Sequence, residues 1–156
     1  MLRQDAPPAP PCNLSQRTPA SLNFFERIEY SKTNPDGNCA GTAFYISGVC
    51  QSQRTIDHPI VVSALKSLKA LAIPVQGCLI VWKQASEFSE KYGLDRFVLH
   101  VGVVTSTNPL LVTHRLNDGG NFYLNQPIEE INQIYQKMQT KSCPVLISFY
   151  LPTALE

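Results

Sequence analysis

The stretch Asn34-Pro35-Asp36-Gly37-Asn38-Cys39-Ala40-Gly41-Thr42-Ala43-Phe44-Tyr45-Ile46-Ser47-Gly48 constrains the fold more than any other. Pro35 sets one φ and Gly37 supplies a positive one, so the chain turns here. Asn38 is a good helix N-cap and Gly48 a natural stop, which predicts a helix from Cys39 to about Ser47. Cys39 then falls in the first turn, where unpaired N–H groups and the helix dipole favour a thiolate. The same N–H groups can hold an oxyanion. Ala40 and Gly41 leave room for other chain, or a substrate carbonyl, beside the sulfur. The competing reading is a buried cysteine at the start of a core helix.

Composition narrows the setting. A chain of 156 residues fits one domain with a sizeable core. Thirteen basic and twelve acidic side chains, interspersed, exclude the broad positive footprint of a nucleic-acid binder. No apolar run approaches the roughly 20 residues of a membrane span. The N-terminus has no hydrophobic stretch, so no intact secretory signal is read there; a cytoplasmic protein or export by a non-Sec route is expected. Cys12, Cys39, Cys50, Cys78 and Cys143 contain no CxxC pair, which implies neither a disulfide framework nor a zinc ribbon, and reduced thiols are the simpler state. Residues 1–20 are rich in Pro, Gln and Ser and read as a disordered arm, either a plain tail or a ligand for an aromatic groove. Residues 21–156 form the domain.

Periodicity orders the rest. Ser21 caps a short helix carrying Leu22, Phe25 and Ile28, although Phe24, Ile28 and Tyr30 also suit a strand. Asp57 and Pro59 start a packing helix that runs through Leu68 and Ala72 to Pro74. Val75–Trp82 is a strand buried on both faces, with Cys78, like Cys50, a packing residue. Residues 84–96 are a polar connection long enough to be a lid. Alternation in 97–104 sets Phe97, Leu99, Val101 and Val103 on one face and Val98, His100, Gly102 and Val104 on the other. Leu110–Leu116 returns as the second arm of a hairpin, with His114 on the face of Leu110, Val112 and Leu116. His100 and His114 therefore share a face of neighbouring strands. An Asn117–Asn121 loop, an amphipathic helix from Pro127 with Glu129 and Glu130 in its first turn, and a last strand from Val145 to Leu151 complete an α+β chain.

A cysteine nucleophile needs a base within hydrogen-bond reach, and the base needs a polar group to fix its tautomer. Cys39, His100 and His114 supply those parts, with Asn117, Asp118 or Asn121 as alternative orienting groups and Gly102 as room for a substrate chain. The same three side chains could instead ligate zinc, with the fourth ligand unidentified.

Asn38-Cys39-Ala40-Gly41 followed by Phe44, Gln76-Gly77-Cys78-Leu79-Ile80-Val81-Trp82, and His100-Val101-Gly102-Val103-Val104 together resemble the NlpC-type papain-like cysteine peptidases, relatives of the CHAP amidases. The resemblance spans roughly residues 35–117. It implies a small antiparallel sheet with the nucleophile helix packed on it, and cleavage of peptide or γ-D-glutamyl amide bonds in cell-wall peptides through a thioester acyl-enzyme. Cys39 matches the nucleophile, His100 the general base and His114 the orienting residue. Asn38 stands where the family usually has an acid, and Ala40 where it has a serine. Tyr30 or Tyr45 is the candidate substitute for the tyrosine that the family often carries just before its cysteine. The reaction needs no cofactor or metal, and the expected partner is a peptide or peptidoglycan fragment, without nucleic acid or membrane span. The alternatives are a non-catalytic binding module of the same fold and an acyltransferase using the same Cys-His pair.

Overall fold

The computed structural model describes residues 18–84, 97–140 and 143–154. Nearly all of the Pro-rich arm, with Cys12, and nearly all of the suggested lid lie outside the described residues. After a 3-10 turn at Pro19–Ser21 come helices α1 (Phe24–Thr33), α2 (Cys39–Ser47) and α3 (His58–Lys66). Strands β1 (Lys69–Leu71), β2 (Leu79–Gln84), β3 (Phe97–Thr107), β4 (Leu110–Arg115) and β5 (Phe122–Pro127) follow, then helix α4 (Ile128–Gln136) and strand β6 (Val145–Leu151). The strands form one antiparallel sheet in the order β1-β6-β2-β3-β4-β5.

The sheet separates two cores. Leu79, Val81, Val101 and Val103 meet Ile28 of α1, Ala43 and Phe44 of α2, and Val61 and Leu65 of α3. Ile80, Trp82, Val104 and Val112 meet Ile128 and Ile131 of α4 on the opposite side. Alternate residues of β2 thus enter different cores, and Leu79 to Trp82 are all fully buried, as their unbroken apolar run requires.

Local signals hold at α2. Asn38 caps it, its side-chain oxygen accepting the Gly41 N–H at 2.8 Å, and Gly48 ends it in the left-handed region at φ 91°. Helix α1 differs from expectation because a stronger cap lies nearby. Asn23 and Glu26 form a reciprocal capping box, so the helix starts after Asn23, Ser21 closes the preceding turn, and Phe25 faces solvent. Helix α3 stops at Lys66, well short of Ala72. The Ser67 hydroxyl bonds back to the Ala64 carbonyl at 2.7 Å, and residues 69–71 find backbone partners on β6 instead.

The face assignment within β3 needs correction. Trp82 pairs with His100 but Lys83 pairs with Val98, so Leu99 is an extra residue in a β-bulge. Upstream of the bulge the side chains exchange faces: Val98 joins the core of Val101 and Val103, while Leu99 packs with Trp82 and Val104. His100, Gly102 and Val104 keep the common face expected of them.

Close approach also explains Gly41. A Cβ there would lie 1.5 Å from the Arg54 carbonyl oxygen, a backbone atom that has nowhere to go. Gly41→Ala is expected to destabilise the protein by about 3 kcal/mol or more, since overpacking against backbone cannot relax by side-chain rotation. Urea denaturation measures it, and a loss below about 0.5 kcal/mol would show that the Arg54 segment yields freely.

Candidate active site

Helix α2 packs against β3 and β4, which brings its N-terminus to the strands that carry the two histidines. Three anchors hold that end of the helix. Asn38 accepts from Gly41 and also donates its amide to the Ile56 carbonyl at 2.8 Å, a pairing that an aspartate could not make. The Gly37 carbonyl accepts the Gly119 N–H at 3.0 Å. Arg115, next to His114 in β4 and 3% exposed, donates to the carbonyls of Ser31, Asn34 and Gly120 and to the Thr42 hydroxyl. Its guanidinium thereby ties the end of α1, the turn before Cys39 and helix α2 to one strand.

Cys39 is half-buried, and its sulfur lies against the backbone N–H groups of Val101, Ala40 and its own residue. The β3–β4 ladder begins at Val103 and Thr113, so the Val101 N–H lies past its end and goes to sulfur. These N–H groups favour a thiolate, as expected at a helix start. Burial nevertheless outweighs them and pushes the thiol above its ordinary range, so the expectation of an easily ionised Cys39 is corrected. Thiolate absorbance of wild type minus Cys39→Ala is expected to give a titration midpoint above that of an ordinary thiol. A midpoint near neutrality would show that the dipole wins.

His100 is 2% exposed and walled by aromatic rings. Tyr135 of α4 stacks on it with centroids 5.0 Å apart and planes 17° apart, and Trp82 tilts against it at 5.5 Å. Trp82 is fixed in turn by an indole hydrogen bond of 2.9 Å to Asn132. Burial, reinforced by His114, pushes the His100 imidazole down to about 3. His114 is also lowered by burial, partly offset by Gln126.

The two imidazoles meet directly, His100 Nε2 lying 2.8 Å from His114 Nδ1. Two nitrogens sharing a tetrahedral zinc would stand about 3.3 Å apart, so the separation is that of a hydrogen bond. His114 Nε2 then meets Gln126 Oε1 at 2.6 Å. Of the alternative orienting groups, Asp118 is engaged elsewhere, its carboxylate accepting from the Thr55 hydroxyl. Cys39 and His100 share two neighbours. One is Val101, adjacent to His100 in the chain; the other is Tyr135, whose hydroxyl is pushed up to about 12 by burial and by the charge of Cys39.

Some expected roles move. Gly102 does not leave room for substrate, because a Cβ there would lie 2.6 Å from the Val112 side chain and 3.3 Å from His114 Cβ; its absent side chain lets those two close on β3. Tyr45 is a core residue, its hydroxyl donating to the Pro19 carbonyl at 2.8 Å, and Tyr30 packs edge-on against its ring. The tyrosines beside the histidine pair are Tyr135, stacked on His100 and marked by helical spacing only as an apolar position, and Tyr123, stacked on His114. Gln126 belongs to β5, a strand whose sequence signal, Phe122-Tyr123-Leu124 after Gly119-Gly120-Asn121, was there to be read. A cavity of about 350 Å³ between α3 and the sheet is lined by Val62, Leu65, Leu68, Val98, Lys83 and Tyr150 and does not include Cys39, His100 or His114. Side-chain chemistry, not cavity volume, marks the site.

Comparison with models of known protein families, with curated proteins and with solved structures finds no match.

Proposed function

We propose that the protein is a papain-like cysteine hydrolase that cleaves peptide or γ-D-glutamyl amide bonds of the kind found in cell-wall peptides. The observation that carries this reading is the buried His100–His114 hydrogen bond, on the two strands against which the Asn38-capped helix that begins with Cys39 packs. With Nε2 engaged by His114, His100 has Nδ1 left to accept the Cys39 proton. The thiolate attacks the scissile carbonyl, and the Cys39 N–H with a neighbouring donor takes the oxyanion. The tetrahedral species collapses to a thioester as His100 returns the proton to the departing amine. His100 then takes a proton from water, which attacks the thioester; the C–S bond breaks as His100 returns that proton to the Cys39 sulfur, releasing the acid and restoring the resting pair.

Burial supports a pair that rests neutral, as thiol and imidazole, so the charges arise together only when the proton moves. The imidazolium, disfavoured in the empty site, forms with thiolate or oxyanion charge beside it. The same burial is what favours the second reading, a binding module with this fold and no turnover. Incubation of purified protein with cell-wall peptide fragments, with Cys39→Ala in parallel, decides between them. Mass spectrometry is expected to find one amide bond cut by wild type alone. Fragments left intact, or cut equally by the variant, would overturn the hydrolase.

A further inference from the structure

We propose that Gln126 and Glu130 determine which nitrogen of His100 carries its proton, acting through His114 as a pair of positioning residues at the β5–α4 junction. The inference rests on reading His100 as the base, and says how it keeps its lone pair where the reaction needs it.

The chain of donors runs inward from the surface. Gln126 Nε2 lies 3.2 Å from Glu130 Oε1. A carboxylate only accepts, so the amide must present its nitrogen to Glu130 and its oxygen to the other side. That oxygen meets His114 Nε2 at 2.6 Å, and because it too only accepts, His114 Nε2 carries the hydrogen. A neutral His114 then has its lone pair on Nδ1, facing His100 Nε2 at 2.8 Å. His100 Nε2 is accordingly the donor, and the lone pair of the neutral ring is on Nδ1. Reversing the chain would set the Gln126 carbonyl against the Glu130 carboxylate, acceptor against acceptor.

The surroundings agree. Glu130 stands in the first turn of α4, where the helix dipole favours a carboxylate, and Gln126 stands four residues before it at the end of β5. The titratable groups stacked on the pair are Tyr135 from α4, on His100, and Tyr123 from β5, whose ring lies 5.2 Å from that of His114, while Glu130 reaches the pair through Gln126. None is a cation, so none drives the imidazole protons the other way. A third histidine supplies an internal contrast. The Val98 N–H donates to His58 Nε2 at 3.1 Å, so His58 carries its hydrogen on Nδ1.

Nitrogen-15 NMR of the imidazole side chains at neutral pH tests the inference, with signals assigned from His58→Gln and His114→Gln. In the wild type, His100 and His114 are expected as the Nε2–H tautomer and His58 as the Nδ1–H tautomer. Gln126→Leu removes the acceptor and is expected to replace the single tautomer of His114 and His100 by a mixture, leaving His58 unchanged. The exchange Gln126→Glu with Glu130→Gln restores an acceptor toward His114 and is expected to keep the wild-type pattern. A wild-type His100 protonated at Nδ1, a pattern unmoved by Gln126→Leu, or one lost in the exchanged pair would each overturn it. Should the leucine variant fail to fold, the wild type and the exchanged pair still decide. The expected tautomers in a protein that cuts no amide would sink the hydrolase and leave this inference standing. Cleavage by a protein whose His100 carries its proton on Nδ1 would do the reverse.

Discussion

Cys39→Ala is expected to lower amide cleavage at least about 1,000-fold, and His100→Ala by a similar factor, because in the proposed mechanism either loss removes thioester formation as a whole. The two variants should differ in stability. Cys39 is half-buried and alanine removes a single sulfur atom, so the alanine variant should lie within about 1 kcal/mol of wild type. His100 fills a site between Trp82, Tyr135 and His114, and its removal leaves a cavity and an unpartnered His114 Nδ1. About 2–4 kcal/mol is the expected cost, which an otherwise intact domain tolerates. Parallel rate and urea-denaturation measurements separate chemistry from folding. Near-wild-type cleavage by Cys39→Ala would remove the cysteine from the mechanism, whatever its position on the helix.

Acid is expected to destabilise the protein through the same histidine. His100 has an ordinary value of 6.5 when unfolded and about 3 when folded, so between those limits the unfolded chain binds a proton that the folded chain refuses. Unfolding free energy therefore falls as pH drops below 6.5 and keeps falling until about pH 3, at up to about 1.4 kcal/mol per pH unit. His114, lowered in the same direction, adds to the slope in the same region. By pH 4 the loss from His100 alone is on the order of 3 kcal/mol. Trp82, the sole tryptophan and in contact with the His100 ring, is a natural fluorescence probe for urea titrations across this range. His100→Gln should flatten the slope. A wild-type stability that holds constant from pH 6.5 to 4 would show that the pocket hydrates the ring on protonation.

Much of the frame is legible in residues close together in the chain. The turn, the Asn38 cap and the Gly48 stop are local hydrogen bonds and local φ values, and they read directly as helix α2. The apolar run ending in Trp82 reads as a strand buried on both faces, and the β-hairpin places His100 and His114 on one side. Where the reading stops, a distant partner has intervened. The bulge at Leu99 exists in the pairing of β3 with β2, and no alternation pattern within β3 shows it. Residues 69–71 continue a helical pattern until the edge of β6 claims their backbone.

The sequence by itself determined that a cysteine begins a helix and that two histidines face one way from adjoining strands, because both follow from capping and from the two-residue period of a strand. Tertiary structure alone decided the chemistry open to them. Desolvation, which depends on every neighbour at once, raises the Cys39 thiol against its helix dipole and lowers His100. Gln126 and Tyr135 reach the histidines from β5 and α4, and Val112 fills the space beside Gly102. Burial and long-range contact are sums over the whole fold, and no short window of residues contains them.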